Sequence, residues 1–320
     1  MAINFAMQEN SKGTSVLLLV IGSVAITCGL QLLFQILGPF GVLLNPLLAF
    51  PVAYVCMRSG ITPALLALVA IGVVVWQQAG AVHSLFYLLQ FGGASLLLPV
   101  LLRRGVGWFR AIIVCLLVTV VAITVASLSY SLKQSVTIPT MVNGYIDTEV
   151  GKAKLVYEQA DLSATQVKEL LEVLDSTALF FKQAYVGLSA VAICFVLAAT
   201  VALLCWFARG RYVVPGVLFH QLRMPDYLIW FLIVAGFSML LKMTIVQQVS
   251  LNILTLLLPL YFLQGVAILS FFLRKKSFST VSQAFAYMVV LVINPLPVVV
   301  TAIGVFDMWF DFRKPRVKTT

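Results

Sequence analysis

Long apolar runs, each close to the length needed to cross a bilayer, follow one another along this chain with few charges between them. A helical crossing takes about 20 mostly apolar residues, because the hydrocarbon core is roughly 30 Å thick and a helix rises about 1.5 Å per residue. By that measure spans are expected near 14–36, 40–57, 62–79, 82–102, 109–131, 183–208, 227–247, 249–273 and 283–306. Backbone amides in hydrocarbon must find partners within their own segment, so such runs become helices rather than open sheet. The expected fold class is all-α: a polytopic transmembrane helical bundle of eight or nine spans, with some proline-broken helices and an extracytoplasmic helical insert. Composition excludes a soluble alternative. Of 320 residues, 62% are hydrophobic and only 10% charged, too few charges to clothe a soluble core, where about 25% is usual.

Three blocks are expected: an N-terminal transmembrane block over 1–132, an amphipathic helical insert over 133–182, and a C-terminal transmembrane block with a basic tail over 183–320. Their orientation follows from lysine and arginine, which favour the cytoplasmic side of short loops. With the N-terminus cytoplasmic, the inside face holds Lys12, Arg58, Arg103, Arg104, Arg110, Arg209, Arg211, Arg223, Arg274, Lys275 and Lys276, 11 of the 21 basic residues. The insert then falls outside with five lysines and seven acids. The tail, with Arg313, Lys314, Arg316 and Lys318, would also lie outside if the ninth run crossed fully. A re-entrant hairpin at Asn294-Pro295-Leu296-Pro297 returns it to the cytoplasm, and that arrangement is the one expected. The net charge of +10 is thus explained by topology, and no nucleic-acid partner is expected.

In the insert, Ser163-Ala164-Thr165-Gln166 fits a capping box. After it Val167, Leu170, Leu171, Leu174 and Ala178 recur at helical spacing, opposite Lys168, Glu169, Glu172 and Asp175. A second helix is expected near 146–160, with Gly151 its weak point. The insert either covers a site or docks an envelope partner, or it merely caps the bundle.

Ionisable groups at membrane depth mark ion-coupled transporters and membrane enzymes, because such groups are costly to keep there. Here all eleven acids read as lying at ends, loops, insert or tail: Glu9, seven in the insert, Asp226, Asp307 and Asp311. His83 and His220 fall on opposite sides, and the five cysteines show no metal or redox spacing. No catalytic motif of the HExxH, GxSxG, Walker A or GxGxxG kind occurs. An enzyme is therefore not expected, nor a metal, nor a cofactor.

Neutral polar residues within the runs remain: Gln31, Gln35, Asn45, Gln90, Gln264 and Asn294. Asn45-Pro46, Pro259 with Gln264-Gly265, and Asn294-Pro295 each pair a polar side chain with a helix breaker, and broken helices expose backbone that can line a pocket. Lys242 is the one charge that enters a run; it either snorkels to the interface or holds an anionic group. The candidate ligand-binding residues are Gln90, Lys242, Gln264, Asn294 and Asn45, with interhelical hydrogen bonding as the other reading. Close helix packing is expected at Ala25 and Gly29 and at Gly92 and Gly93.

Several stretches resemble YybS-like bacterial membrane proteins: Asn45-Pro46-Leu47 through Arg58-Ser59-Gly60, Leu222-Arg223-Met224-Pro225-Asp226, Leu258-Pro259 through Gln264-Gly265, and Gly304-Val305-Phe306-Asp307 through Arg313-Lys314. The resemblance implies a multi-pass protein of the bacterial inner membrane. More distantly the chain is similar to the substrate-binding S components of energy-coupling-factor transporters. Those bind a small molecule within the bundle and dock on a separate membrane subunit. Together these readings lead to a transport-type membrane protein, binding a small or lipid-like ligand without energy-coupling residues of its own. The rival is a structural or assembly protein whose insert docks an envelope partner.

Overall fold

The computed structural model describes residues 2–37, 41, 44–159, 163–208 and 210–313, with the side chains of 2–14, 35, 158 and 164 outside the description. Glu9, Lys12, Gln35, Arg209, Lys314, Arg316 and Lys318 therefore lie outside the described side chains. Among the described residues every regular element is helical. Six helices are long and apolar enough to cross a membrane, or seven if a bent pair near the C-terminus counts as one span.

Contacts divide the chain into two compact units, residues 1–134 with 192–216, and residues 135–191 with 217–320. The first unit contains α1 (Ala2–Leu37), α2 (Asn45–Ser59), α3 (Ile61–Ala79), α4 (Ala81–Gly92), α5 (Leu98–Arg103) and α6 (Trp108–Gln134). Its core centres on α2, where Ala49, Val52, Ala53 and Cys56 are fully buried against Ala64, Ala67 and Ile71 of α3 and Leu98 of α5. On α3 the buried set Ala64, Ala67, Leu68, Ile71, Gly72 and Val75 recurs every three or four residues, the stripe a helix needs to bury one side. Gly60 (φ 104°) turns the chain from α2 into α3, a left-handed conformation that suits glycine. A five-residue π turn, Gly93–Leu97, joins α4 to α5. Pro99 follows it, and a proline lacks the amide that would continue the α pattern.

The second unit contains α7 (Ile138–Gln159), α9 (Leu228–Ser238), α10 (Thr244–Lys275), α11 (Thr280–Val292) and α12 (Leu296–Phe310). The 45-residue α8 (Ala164–Ala208) begins in this unit and ends in the first. The capping box is present: Ser163 donates its amide to Gln166 Oε1 at 3.0 Å, and Gln166 returns its amide to Ser163 Oγ at 3.4 Å. Ion pairs Lys182–Asp147 and Lys154–Asp175 join α7 to α8. Their two residue numbers fall as the others rise, so the helices run antiparallel. Helix α7 starts earlier than expected and passes through Gly151 unbroken.

Two of the nine expected spans form only short helices. The 40–57 run yields 15 residues in α2, and the 227–247 run yields 11 in α9 before the chain turns at Met239–Leu241. The expected proline breaks are also fewer. Pro46 sits in the first turn of α2, where its missing amide costs nothing. Helix α10 continues through Pro259. Only Asn294-Pro295 separates two helices, α11 and α12, which meet at 104°.

Candidate functional site

The tightest helix crossing of the second unit lies between α10 and α12, and two glycines make it possible. A Cβ on Gly265 would stand 2.0 Å from Val300 O, and one on Gly304 2.0 Å from Tyr261 O. With backbones this close, polar residues beside each glycine meet across the crossing. Gln264 of α10 donates from Nε2 to Asp307 Oδ2 of α12 at 3.2 Å.

Asp307 is fully buried, which corrects the expectation that every acid lies at a polar end. It stands in the last turn of α12, yet the chain folds back over it. Asp311 adopts a left-handed conformation (φ 41°) and ends the helix. Phe312 then donates its amide to Asp307 Oδ1 at 3.1 Å, and Arg313 Nη2 reaches Asp307 Oδ2 at 2.6 Å. A buried carboxylate is tolerable only when paired and hydrogen-bonded, and both oxygens here are engaged.

The same cluster satisfies a non-helical stretch. Residues 218–226 carry one 3₁₀ turn, Phe219–Gln221, after which Leu222 and Met224 are buried. Their backbone groups need partners. Arg313 Nη1 donates to Leu222 O at 2.8 Å and to His220 O at 3.3 Å, and Met224 donates its amide to Gln264 Oε1 at 2.9 Å.

Beside this network opens a cleft of about 180 Å³, lined by Arg223, Asp226, Tyr261, Gln264, Trp309 and Asp311 among others. Arg223 Nη2 pairs with Asp311 Oδ1 at 2.5 Å. Tyr261 is 2% exposed and shares this lining with Asp226. The cleft is thus a small polar recess beside the apolar helices α10 and α12.

Sequence reading anticipates Gln264 alone among these residues as a candidate for binding. Lys242 lies exposed in the turn between α9 and α10, and Asn294 lies exposed at the bend between α11 and α12. Asn45 and Gln90 are half-buried in the first unit. No described hydrogen bond or cavity joins any two of the five. Of the packing candidates, Ala25 and Gly29 are exposed and a Cβ on Gly29 would meet nothing within 4 Å. Gly93 does face a neighbour, since its Cβ would come within 2.5 Å of Thr119 Oγ1, whereas Gly92 stands 4.0 Å from Leu68.

One further feature escapes the sequence reading. Asn252 of α10 clamps α8, accepting from the Gly187 amide at 2.7 Å and donating to Gln183 O at 2.8 Å. Its position inside an apolar run is the signal that could have found it. In the first unit Thr27 Oγ1, Gln31 Oε1 and Tyr87 OH are buried without a hydrogen-bond partner among the described residues.

The family described as Predicted membrane protein (DUF2232) matches the chain over residues 25–308. The chain belongs to that family. The match embraces both units and includes Gln264 and Asp307, so the α10–α12 crossing lies inside the region that defines a DUF2232 chain. No curated protein and no solved structure matches it. A membrane protein with multiple apolar helices, seated in a lipid bilayer, follows from the family and the helices together.

Proposed function

We propose that this protein is of transport type and binds a small or lipid-like ligand in the cleft beside Gln264, without supplying coupling energy itself. The observation that carries this reading is the polar cleft on a fully hydrogen-bonded floor. A buried ionic network is costly in an apolar surround, and here it holds open a recess of ligand size rather than closing it. The engagement of Asp307 by Arg313, Gln264 and the Phe312 amide supports a fixed charge rather than a carboxylate cycling protons or sodium. For the same reason no catalytic activity is proposed. Energy would come from a membrane partner subunit, as the more distant resemblance to S components implies.

The topology proposed is eight crossings and a re-entrant α11–α12 pair, with the insert outside the bacterial inner membrane. Charge supports it. If α2 did not cross, Lys12 and Arg58 could not share one side, and if α9 did not cross, neither could the Arg103–Arg104 pair and the Arg274–Lys276 run. The Arg223–Asp311 ion pair brings the start of α9 and the end of α12 to the same end of their unit, which favours a cytoplasmic tail. Helix α8 is about 67 Å long at 1.5 Å per residue, over twice the hydrocarbon thickness, which leaves its first half free to project as part of the insert.

The rival assembly role draws on the insert, whose Tyr145, Val156 and Val173 are exposed. Mass spectrometry of the full chain extracted with its own lipids distinguishes the two. A retained small molecule or lipid supports the ligand reading. A co-purifying protein that disappears when residues 140–178 are deleted supports the rival, and a bare chain contradicts the ligand reading.

A further inference from the structure

The polar groups around the cleft are nearly all satisfied by one another, and those left over define what the cleft can hold. Arg223 is taken up by Asp311. Gln264 serves Met224 and Asp307, and Arg313 serves Asp307, Leu222 and His220. Two groups remain. Asp226, an exposed residue at the rim, makes no hydrogen bond or ion pair with any described residue. Tyr261 is 98% buried, lines the same recess, and its hydroxyl makes no hydrogen bond with any described residue.

A leftover carboxylate and a phenol call for a donor with positive charge. Trp309 adds an aromatic surface to the lining, and aromatic faces attract cations. An anion is disfavoured, because the nearest guanidinium already has its counter-charge in Asp311. Size narrows the class further. At roughly 30 Å³ per water-sized group, a recess of about 180 Å³ takes a handful of heavy atoms and excludes a bulky cofactor.

Resting on the proposed ligand-binding role of this cleft, we infer that it receives a small primary ammonium group, held by Asp226 and Tyr261 against Trp309. The group belongs either to a free amine or to the headgroup of an ethanolamine lipid. The chemistry is the same, and the source is settled by experiment.

The full-length protein is exchanged into nanodiscs of phosphatidylcholine, and binding is followed by native mass spectrometry and by thermal shift. Two probes are added separately: free ethanolamine, and phosphatidylethanolamine at a tenth of the lipid, with phosphatidylglycerol as the anionic control. Binding of ethanolamine supports a free amine as ligand, and selective retention of phosphatidylethanolamine supports the lipid source. In either case Asp226→Asn weakens binding roughly tenfold, the scale of a lost charge-assisted hydrogen bond, and Tyr261→Phe weakens it less. Asp226→Lys reverses the preference toward phosphatidylglycerol, which a folding defect could not produce. Equal retention of phosphatidylglycerol by the wild type, failure of both ammonium probes, or binding indifferent to Asp226→Asn and Asp226→Lys overturns the inference. If the protein extracted with its own lipids still carries another molecule, only the ammonium assignment falls. If it carries none, the ligand-binding reading falls with it.

Discussion

Removing the Asp307 carboxylate leaves the Arg313 guanidinium, 11% exposed, without its counter-charge and strips the Phe312 amide of its acceptor. Breaking one side of a buried pair costs about 3–5 kcal/mol. Asp307→Ala is therefore expected to lose stability on that scale in unfolding titrations from mild detergent into a denaturing one, and a variant as stable as the wild type would contradict the network. At this scale the sequence was half readable. Gln264 stood out because an amide inside an apolar run needs a partner. Asp307 did not, because only two residues separate it from Phe310, the end of its helix, and a carboxylate so near an end ordinarily reaches water. What buries it is the left-handed turn at Asp311, which brings Arg313 back over the helix. Aspartate tolerates that conformation better than most residues but seldom announces it as glycine does. Similarly, nothing in Asn252's neighbours foretells that its amide would meet Gly187.

Between helices, the α10–α12 crossing depends on the absence of two side chains. Gly304→Ala sets a methyl 2.0 Å from a backbone oxygen that no rotamer change can move, so the helices must separate. Overpacking of this kind costs about 1–3 kcal/mol or more. Gly29→Ala, with open space around it, is expected to change stability little, and the pair measured side by side in the same unfolding assay checks the contrast. If both glycines tolerate alanine equally, the crossing is not as close as described. Legibility varied sharply among elements. The cap at Ser163 and Gln166 was readable because its hydrogen bonds are local. The shortness of α9 was not, because hydropathy registers apolar length and is blind to turns such as that after Ser238. Proline breaks a helix only where it removes a needed amide or the chain turns away. At Pro46 the missing amide falls where a helix has none to lose, and at Pro259 the helix carries on regardless. The two stretches behind the strongest part of the family resemblance, around Gln264-Gly265 and Gly304–Asp307, prove to be the two that face each other.

For the molecule as a whole, sidedness connects the fold to the function. Single cysteines placed at Arg110 and Lys318 are expected to react with a membrane-impermeant thiol reagent only from the cytoplasmic side, and one at Lys168 only from the outside. Labelling of the Lys318 position from outside would mean that α11 and α12 form one bent crossing, and would place the cleft toward the opposite face. The all-helical architecture was legible because lipid leaves few choices: an apolar chain must become helices. The place of the cleft was not, because it is assembled by a non-helical segment, a helix end and a mid-helix amide that lie far apart in sequence.

On the function proposed, the recess between Arg223 and Trp309 is occupied when the protein does its work. Intact-mass measurement of the full chain, released gently from its native membrane, tests this with the fewest assumptions. The wild type should carry one bound molecule per chain, and Trp309→Ala, which removes a wall of the cleft and leaves the Asp307 network alone, should carry it at a small fraction of that occupancy. A wild-type chain with no adduct, or an adduct undiminished in Trp309→Ala, would contradict the account.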